Sequence, residues 1–564
     1  MKEKIKGLVI GTLNSMGINA DTVLLDHPTE ISHGDYSTNA ALMYAKQAGM
    51  NPRELAEKIK AQLENHVPKE IEKMEIAGPG FINFYLSKEF FTESIKTILS
   101  LREEWGKNET LVGKKVMVEY TQPNPFKPFH IGHLMSNSIG ESISRIVEFS
   151  GAKTIRANYQ GDVGPHVAKA IWGILHSGES YEGKSALWIG EMYAQGSDAY
   201  DTDPLKKEEI DAINKKVYDR NDDQVNTLYE WGRKTTLAAF EEIYTLLGTK
   251  FDYYFFESDM APIGVEIVKE NTPEVFEESD GAIVFHAEKY DSKLHTRVFI
   301  NSKGLPTYET KEIGLTVTKF EKENPDISII TTAIEQGEYM KVVQKAVSLI
   351  HPDYESRMKH ITHGMMRLSS GKMSSRKGNV VTGESLIEDS MDVVREKMAE
   401  RELSNEEKDM IAKIVGVAAL KYSILRSSLG SDIVYDFEKS ISFDGDSGPY
   451  LQYTAVRAQS IMKKAEGEGL RADFAKTPET ISLLEKMLYR FPEVVAHSYE
   501  TLEPHHIATY LTELSSAFNA FYANTVVVNK DDANAPYNVA LVEAFHQTVV
   551  NGLWLLGIKT PEKM

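Results

Sequence analysis

His130 and His133 stand on either side of Ile131-Gly132, directly after a proline-rich run, Thr121-Gln-Pro-Asn-Pro-Phe-Lys-Pro-Phe129. Far downstream, Gly371-Lys-Met-Ser-Ser-Arg-Lys-Gly378 gathers three cations and two hydroxyls between glycines. These are groups that handle phosphate. A helix N-terminus presents unpaired N–H groups and a positive dipole end, so imidazole donors placed beside it would stabilise charge developing on a phosphate. Gly132, lacking a side chain, lets a flat base or a ribose lie against the backbone. The glycine-bounded basic loop is suited to folding over a polyphosphate. Each segment alone has an ordinary reading, a capped helix start and a solvated basic loop. Together they read as one split phosphate site.

The elements that must hold these residues are visible nearby. Val116-Met-Val-Glu-Tyr120 is a short apolar run that reads as a strand, and Ile131, Met135, Ile139, Ile143 and Val147 recur at helical spacing. A strand therefore feeds a helix N-terminus, and Gly151 followed by Thr154–Asn158 completes the first βαβ unit of a doubly wound sheet. Residues 175 to 250 interrupt that rhythm with charged helical segments at 205–220 and 222–248, an insertion. The sheet pattern resumes with a hairpin of Ala282–Phe285 and Thr296–Ile300, a buried strand at Ile327–Ile330 and a last strand at His360–Met365. Residues 1–105 mix helices with two short strands and end in Ala77-Gly-Pro-Gly-Phe-Ile-Asn-Phe-Tyr-Leu86, whose alternation suggests an edge strand. From 386 onward the pattern is almost wholly helical. The expected architecture is a multidomain α/β plus all-α chain: an appended α+β domain (1–105), a Rossmann-type doubly wound parallel-sheet domain (111–385) and a terminal helical domain (386–564).

The whole chain sets bounds on function. Its 564 residues, 41% hydrophobic, exceed one ordinary core and favour roughly three or four domains. A net charge of -20 argues against indiscriminate binding of polyanions, so a nucleic-acid partner would need a local basic track together with shape and stacking. No cysteine is present, which excludes disulfides and thiolate metal sites and fits a reducing compartment. Lys2, Lys4 and Lys6 precede a brief apolar stretch, but Asn14 and Ser15 interrupt it before a signal-peptide core matures. No stretch approaches a membrane span, so the expectation is a cytoplasmic protein with no membrane partner.

The two phosphate-type segments resemble the HIGH and KMSKS signatures of class I aminoacyl-tRNA synthetases, which activate an amino acid with ATP. On that resemblance His130, Gly132, His133, Met373, Ser374, Ser375 and Arg376 bind ATP, supplied as its Mg2+ complex, and His130, His133 and Lys372 serve catalysis. One departure matters. The second lysine of KMSKS is replaced by Ser375, and Lys127, three residues ahead of His130, is placed to supply the missing cation. This arrangement resembles arginyl-tRNA synthetases, in which a lysine just before HIGH plays that part. The likeness extends to His33-Gly-Asp-Tyr-Ser-Thr-Asn-Ala-Ala-Leu42, similar to that family's appended N-terminal domain. It extends also to Glu503–Leu511, Phe518-Asn-Ala-Phe-Tyr522 and Leu555–Met564, similar to its anticodon-binding helices.

Arginine makes a physical demand of its own, because a planar guanidinium with five donors wants carboxylates that accept in forked geometry. The resemblance implies an arginine pocket built from Asn124, Glu257, Tyr308, Glu312 and Gln336. Tyr308 and Glu312 are i and i+4, able to share a helix face. Glu312 stands where the family pattern has aspartate, and Tyr339 where a histidine is expected. Asp162, in Gln160-Gly-Asp-Val-Gly164, matches a segment bordering the site, or serves as a helix cap. For tRNA the resemblance points to Tyr450, Tyr453 and Arg457, with aromatics beside arginine able to stack on unpaired bases, although bundle core is the more ordinary use of most such aromatics. His505 and His506 sit at a helix start and read as capping residues. The implied activity is ligation of L-arginine to its tRNA by a monomer without protein-bound zinc, with adenylate formation dependent on tRNA. Competing readings are a class I synthetase for another amino acid, a non-catalytic tRNA-binding relative, and a small-molecule adenylyltransferase, whose minimal fold leaves the C-terminal helices unexplained.

Overall fold

The computed structural model describes residues 1–369 and 382–564. Lys372, Met373, Ser374, Ser375 and Arg376 lie outside the described residues. The chain forms two compact units, one of Met1–Gly106, Arg457–Val494 and Tyr510–Asn551, the other of Lys107–Val456, Val495–Thr509 and Gly552–Met564.

In the first unit a four-stranded antiparallel sheet runs in the order Leu25–Asp26, Tyr36–Thr38, Phe81–Leu86, Ile71–Ala77. The sequence reading of two strands with Phe81–Leu86 at an edge is corrected here: that strand is central, paired on both sides. Pro79 lies in the turn before it and so removes no ladder hydrogen bond. The partner Tyr36–Thr38 has three residues, too few for its alternation to be legible. Helices Lys2–Ser15, Ala40–Ala48 and Pro52–Leu63 bury Ile5, Val9, Leu13, Leu55 and Ile59 in the core of this unit. Tyr36 is fully buried there and donates to Glu493 Oε1 at 2.5 Å, while His27 Nε2 lies 3.0 Å from Glu493 Oε2.

The second unit is built on a five-stranded parallel sheet in the order Met358–His363, Ile327–Ala333, Lys115–Glu119, Lys153–Gln160, Tyr253–Phe256. The strand order reverses beside Lys115–Glu119, and a crevice at such a reversal, at the carboxyl ends of the strands, is where doubly wound sheets bind ligands. Val116, Met117 and Val118 are completely buried, as a strand covered on both faces requires. Helix Ile131–Phe149 follows at close range: a Cβ on Gly140 would fall 2.2 Å from the Tyr120 Cβ, so only glycine permits the approach. The expected hairpin Ala282–Phe285 with Arg297–Ile300 is present, joined by Glu277–Ser279, but it forms a separate three-stranded sheet. The insertion consists of helices Ala186–Thr202, Pro204–Asp219 and Asp223–Leu247. The closing residues are held by their carbonyls. Arg145 donates to Trp554 O, Ser142 to Leu555 O and the buried Lys421 to Gly557 O.

Candidate active site

The loop leaving strand Lys115–Glu119 carries three non-glycine residues in the left-handed region, Thr121 (φ 81°), Gln122 (φ 49°) and Phe126 (φ 69°). Such conformations cost about 1 to 3 kcal/mol each and persist only where neighbours over-determine them. The neighbours are identifiable. Thr121 N–H donates to Ser136 Oγ at 2.9 Å, and Asn137 donates to Thr121 Oγ1 at 2.9 Å. Gln122 donates to Glu119 Oε1 at 3.0 Å. Phe126 is buried against Tyr229 and Gly232, where a Cβ would lie 2.3 Å from its ring. The loop therefore delivers Asn124 and Lys127 into the crevice along a fixed path.

His130 is the N-cap of helix Ile131–Phe149, and its N–H donates to His133 Nδ1 at 3.2 Å. The two rings stack with centroids 3.5 Å apart, and the His130 ring lies within 3.1 Å of where a Gly132 Cβ would be. Desolvation, then the nearby Lys127 charge, pushes His130 down to about 4. His133 is driven well below the usual histidine range by burial, by His130 and by Lys127. Both imidazoles are therefore neutral near pH 7. Burial and the second ammonium of Lys169 lower Lys127 from the ordinary lysine value. Two cations brought together in a desolvated cleft are relieved by an anion.

Behind this lies a cluster of four buried glutamates. Glu119 Oε2 accepts from the fully buried Lys319 at 2.6 Å, Glu257 Oε2 from Lys311 at 2.6 Å and Glu309 Oε1 from Arg297 at 3.0 Å. Against the desolvation that would lower it, Glu257 and Tyr218 lift Lys311 to about 12, so it is charged. Glu312 differs. Among the described residues it has no ion-pair partner, and its buried Oε2 has no hydrogen bond. Burial and the charge of Glu119 raise Glu312 to about 8, Lys319 notwithstanding, so it carries a proton at neutral pH. Tyr339 faces the same cluster: burial, then Glu312 and Glu119, raise its hydroxyl far above the usual range.

Asn124 and Glu257 converge on Gly161, where a Cβ would stand 2.3 Å from Asn124 Oδ1 and 3.1 Å from Glu257 Oε1. Tyr308 and Glu312 share helix Tyr308–Glu323, but Tyr308 is 64% exposed at its start while Glu312 is buried. Gln336 is exposed in a short turn at the carboxyl end of strand Ile327–Ala333, at the same end of the sheet. Asp162 is committed to scaffolding: it accepts from Tyr229, Arg233 and both the N–H and Oγ of Ser258. It caps the start of helix Glu257–Glu270, not the helix that follows it in sequence. Tyr450 and Tyr453 are half-buried on helix Gly448–Gly467, and Arg457, further along it, donates to Asn519 Oδ1 at 2.7 Å.

Sequence reasoning did not find Glu119, Lys319, Lys311 or His166. His166 is half-buried, hydrogen-bonds the Gly161 carbonyl at 2.9 Å and is pushed down to about 3 by desolvation and Lys127. The available signal was the charged residue closing an otherwise apolar strand, Glu119, and the lysine beside Glu312.

Comparison with known proteins agrees with this geometry. Residues 94–437 match the family described as tRNA synthetases class I (R), catalytic domain, which gives the class. Residues 451–564 match the DALR anticodon binding domain and residues 3–86 the arginyl tRNA synthetase N terminal domain. The chain is 32% identical over 558 residues to an arginine–tRNA ligase of Clostridium perfringens, covering 96% of each, and 34% identical over 552 residues to one of Fusobacterium nucleatum, covering 95% and 94%. It belongs to the arginyl-tRNA synthetase family. The Thermus thermophilus arginyl-tRNA synthetase structure has the same fold, with a TM-score of 0.82 over 100% of both chains at 22% identity. Among the described residues no helix is long and apolar enough to cross a membrane.

Proposed function

We propose that the protein ligates L-arginine to its cognate tRNA in two steps, arginyl-adenylate formation from MgATP and transfer to the terminal ribose of tRNA. The arginine carboxylate attacks the α-phosphate, pyrophosphate leaves, and a ribose hydroxyl then attacks the activated carbonyl, releasing AMP. The protein's part is positioning and charge neutralisation. His130 and His133 donate as neutral imidazoles, with Gly132 giving the nucleotide access to the backbone. Lys127 supplies the cation that Ser375 does not, and Lys372, Met373, Ser374 and Arg376 complete the ATP contacts. Asn124 takes the amino-acid head, Glu257 and Glu312 the guanidinium, and Tyr308 and Gln336 flank the entrance. Residues 1–105 serve tRNA and 386–564 the anticodon, through Tyr450, Tyr453 and Arg457, around a catalytic domain of 111–385. The working form is a cytoplasmic monomer.

The observation that carries the arginine reading is the odd glutamate: three of four buried carboxylates are satisfied by the protein's own cations, and Glu312 is not. An amino acid without a cationic side chain would leave that group unanswered, and the names of the curated relatives speak for arginine as well. Pyrophosphate exchange with each of the twenty amino acids, with and without tRNA, should respond to arginine alone and need tRNA. Exchange with a different amino acid would overturn the assignment.

Glu312 also gives the reaction a pH signature. Its carboxyl is protonated below about 8 in the free protein, and a bound guanidinium favours the carboxylate, so binding releases a proton. The affinity for arginine should rise with pH, by up to about tenfold per unit, and level off above about 8. Glu312→Gln should flatten that profile, read as the pH dependence of kcat/KM for arginine. An unchanged slope in the variant would place the titration elsewhere.

A further inference from the structure

The turn between helices Phe491–Thr501 and His505–Asn524 carries donor atoms that the proposed reaction does not use. One ligand atom from each of Glu503, His505 and His506 lies within 4.8 Å of the other two. Glu503 Oε2 and His505 Nδ1 are 2.5 Å apart, yet neither makes a hydrogen bond of acceptable geometry. The His506 ring centroid is 4.0 Å from that of His505 and 4.4 Å from that of His497, which comes from the preceding helix. Three imidazoles at such spacing repel when protonated and gain little from one another when neutral, whereas a shared cation makes the grouping favourable.

We infer that Glu503, His505 and His506 bind a divalent transition-metal ion, with Zn2+ the fitting class. Mixed imidazole and carboxylate donors suit zinc and its neighbours in the first transition row, with three protein ligands leaving a position for water or for His497. Mg2+ and Ca2+ prefer all-oxygen shells and do not compete here. The lack of cysteine, which led to the expectation of no zinc, has no bearing on a nitrogen and oxygen site. The three ligands come from the turn (Glu503) and the start of the second helix (His505, His506), so the ion would link the two helices only where His497 takes the open position.

The test is calorimetric titration of the untagged full-length protein, stripped with chelator, using Zn2+ alone in excess Mg2+. One Zn2+ per chain is expected, with a rise in Tm on addition of the metal. The double variant His505→Asn/His506→Gln should lose at least about tenfold in affinity and show no metal-dependent Tm rise. Glu503→Gln, a milder change that keeps both rings, should weaken binding in the same direction while arginine-dependent exchange without zinc stays at the parent level. Unchanged stoichiometry and affinity in these variants, or no binding by the parent chain, would overturn the assignment.

Discussion

Single-turnover adenylate synthesis by a Lys127→Ala variant, with tRNA present, should run about a hundred- to a thousandfold slower than that of the parent chain, the usual loss for one charge-stabilising donor at a reacting centre. The size follows from what surrounds it. His130 and His133 are held neutral, so beside them the positive charge rests on Lys127. The ammonium packs 5.4 Å from the Tyr193 ring centroid and is depressed by burial and by Lys169, a combination that disfavours a cation until an anion arrives. Removing it should leave the fold intact and the KM for arginine within about a few fold, since neither scaffold nor guanidinium depends on it. Adenylate formation at a near-normal rate would show that the cation missing at Ser375 is replaced from somewhere else.

Glu257→Gln is expected to reduce kcat/KM for arginine by about a hundred- to a thousandfold, within the range for truncating one partner of a buried charge pair between a site and its ligand. Here a structural effect must be separated from a recognition effect, because Glu257 already pairs with the buried Lys311 at 2.6 Å. The single variant strands the ammonium and should lower Tm. Adding Lys311→Met removes the stranded charge, so the double variant should regain most of the lost Tm while its kcat/KM for arginine stays low. If activity returned along with stability, Glu257 would be a scaffold residue and its place in the pocket would fall.

What was legible in the sequence was local. The strand before His130, the amphipathic helix after it and the substitution at Ser375 are each read from a few neighbouring residues, where periodicity and motif spacing carry the information. The glutamate cluster was not legible, because its pairings are long-range: Glu119 meets Lys319 and Glu257 meets Lys311 only once the parallel sheet has placed them together. Strand Tyr253–Phe256 escaped notice for a related reason. It has four residues, runs straight into helix Glu257–Glu270 with no turn residue between, and so lacks the punctuation by which strands are recognised. Asp162 was half read. Its segment was singled out, but the helix it caps begins nearly a hundred residues away, as its 2.9 Å bond to Ser258 N–H shows.

Lys311 on Glu257 means that the pocket, on the reading proposed here, is never short of an amine. The protein's own side chain is a tethered copy of lysine's head group, already seated on the carboxylate at high effective concentration. A free lysine arriving there offers only the same single ammonium, so the exchange gains it nothing. A guanidinium brings a planar fork that can engage Glu257 and the unsatisfied Glu312 together, which one point charge does not do. Rejection of the nearest competitor would thus rest on a resident decoy that only the fork can outbid.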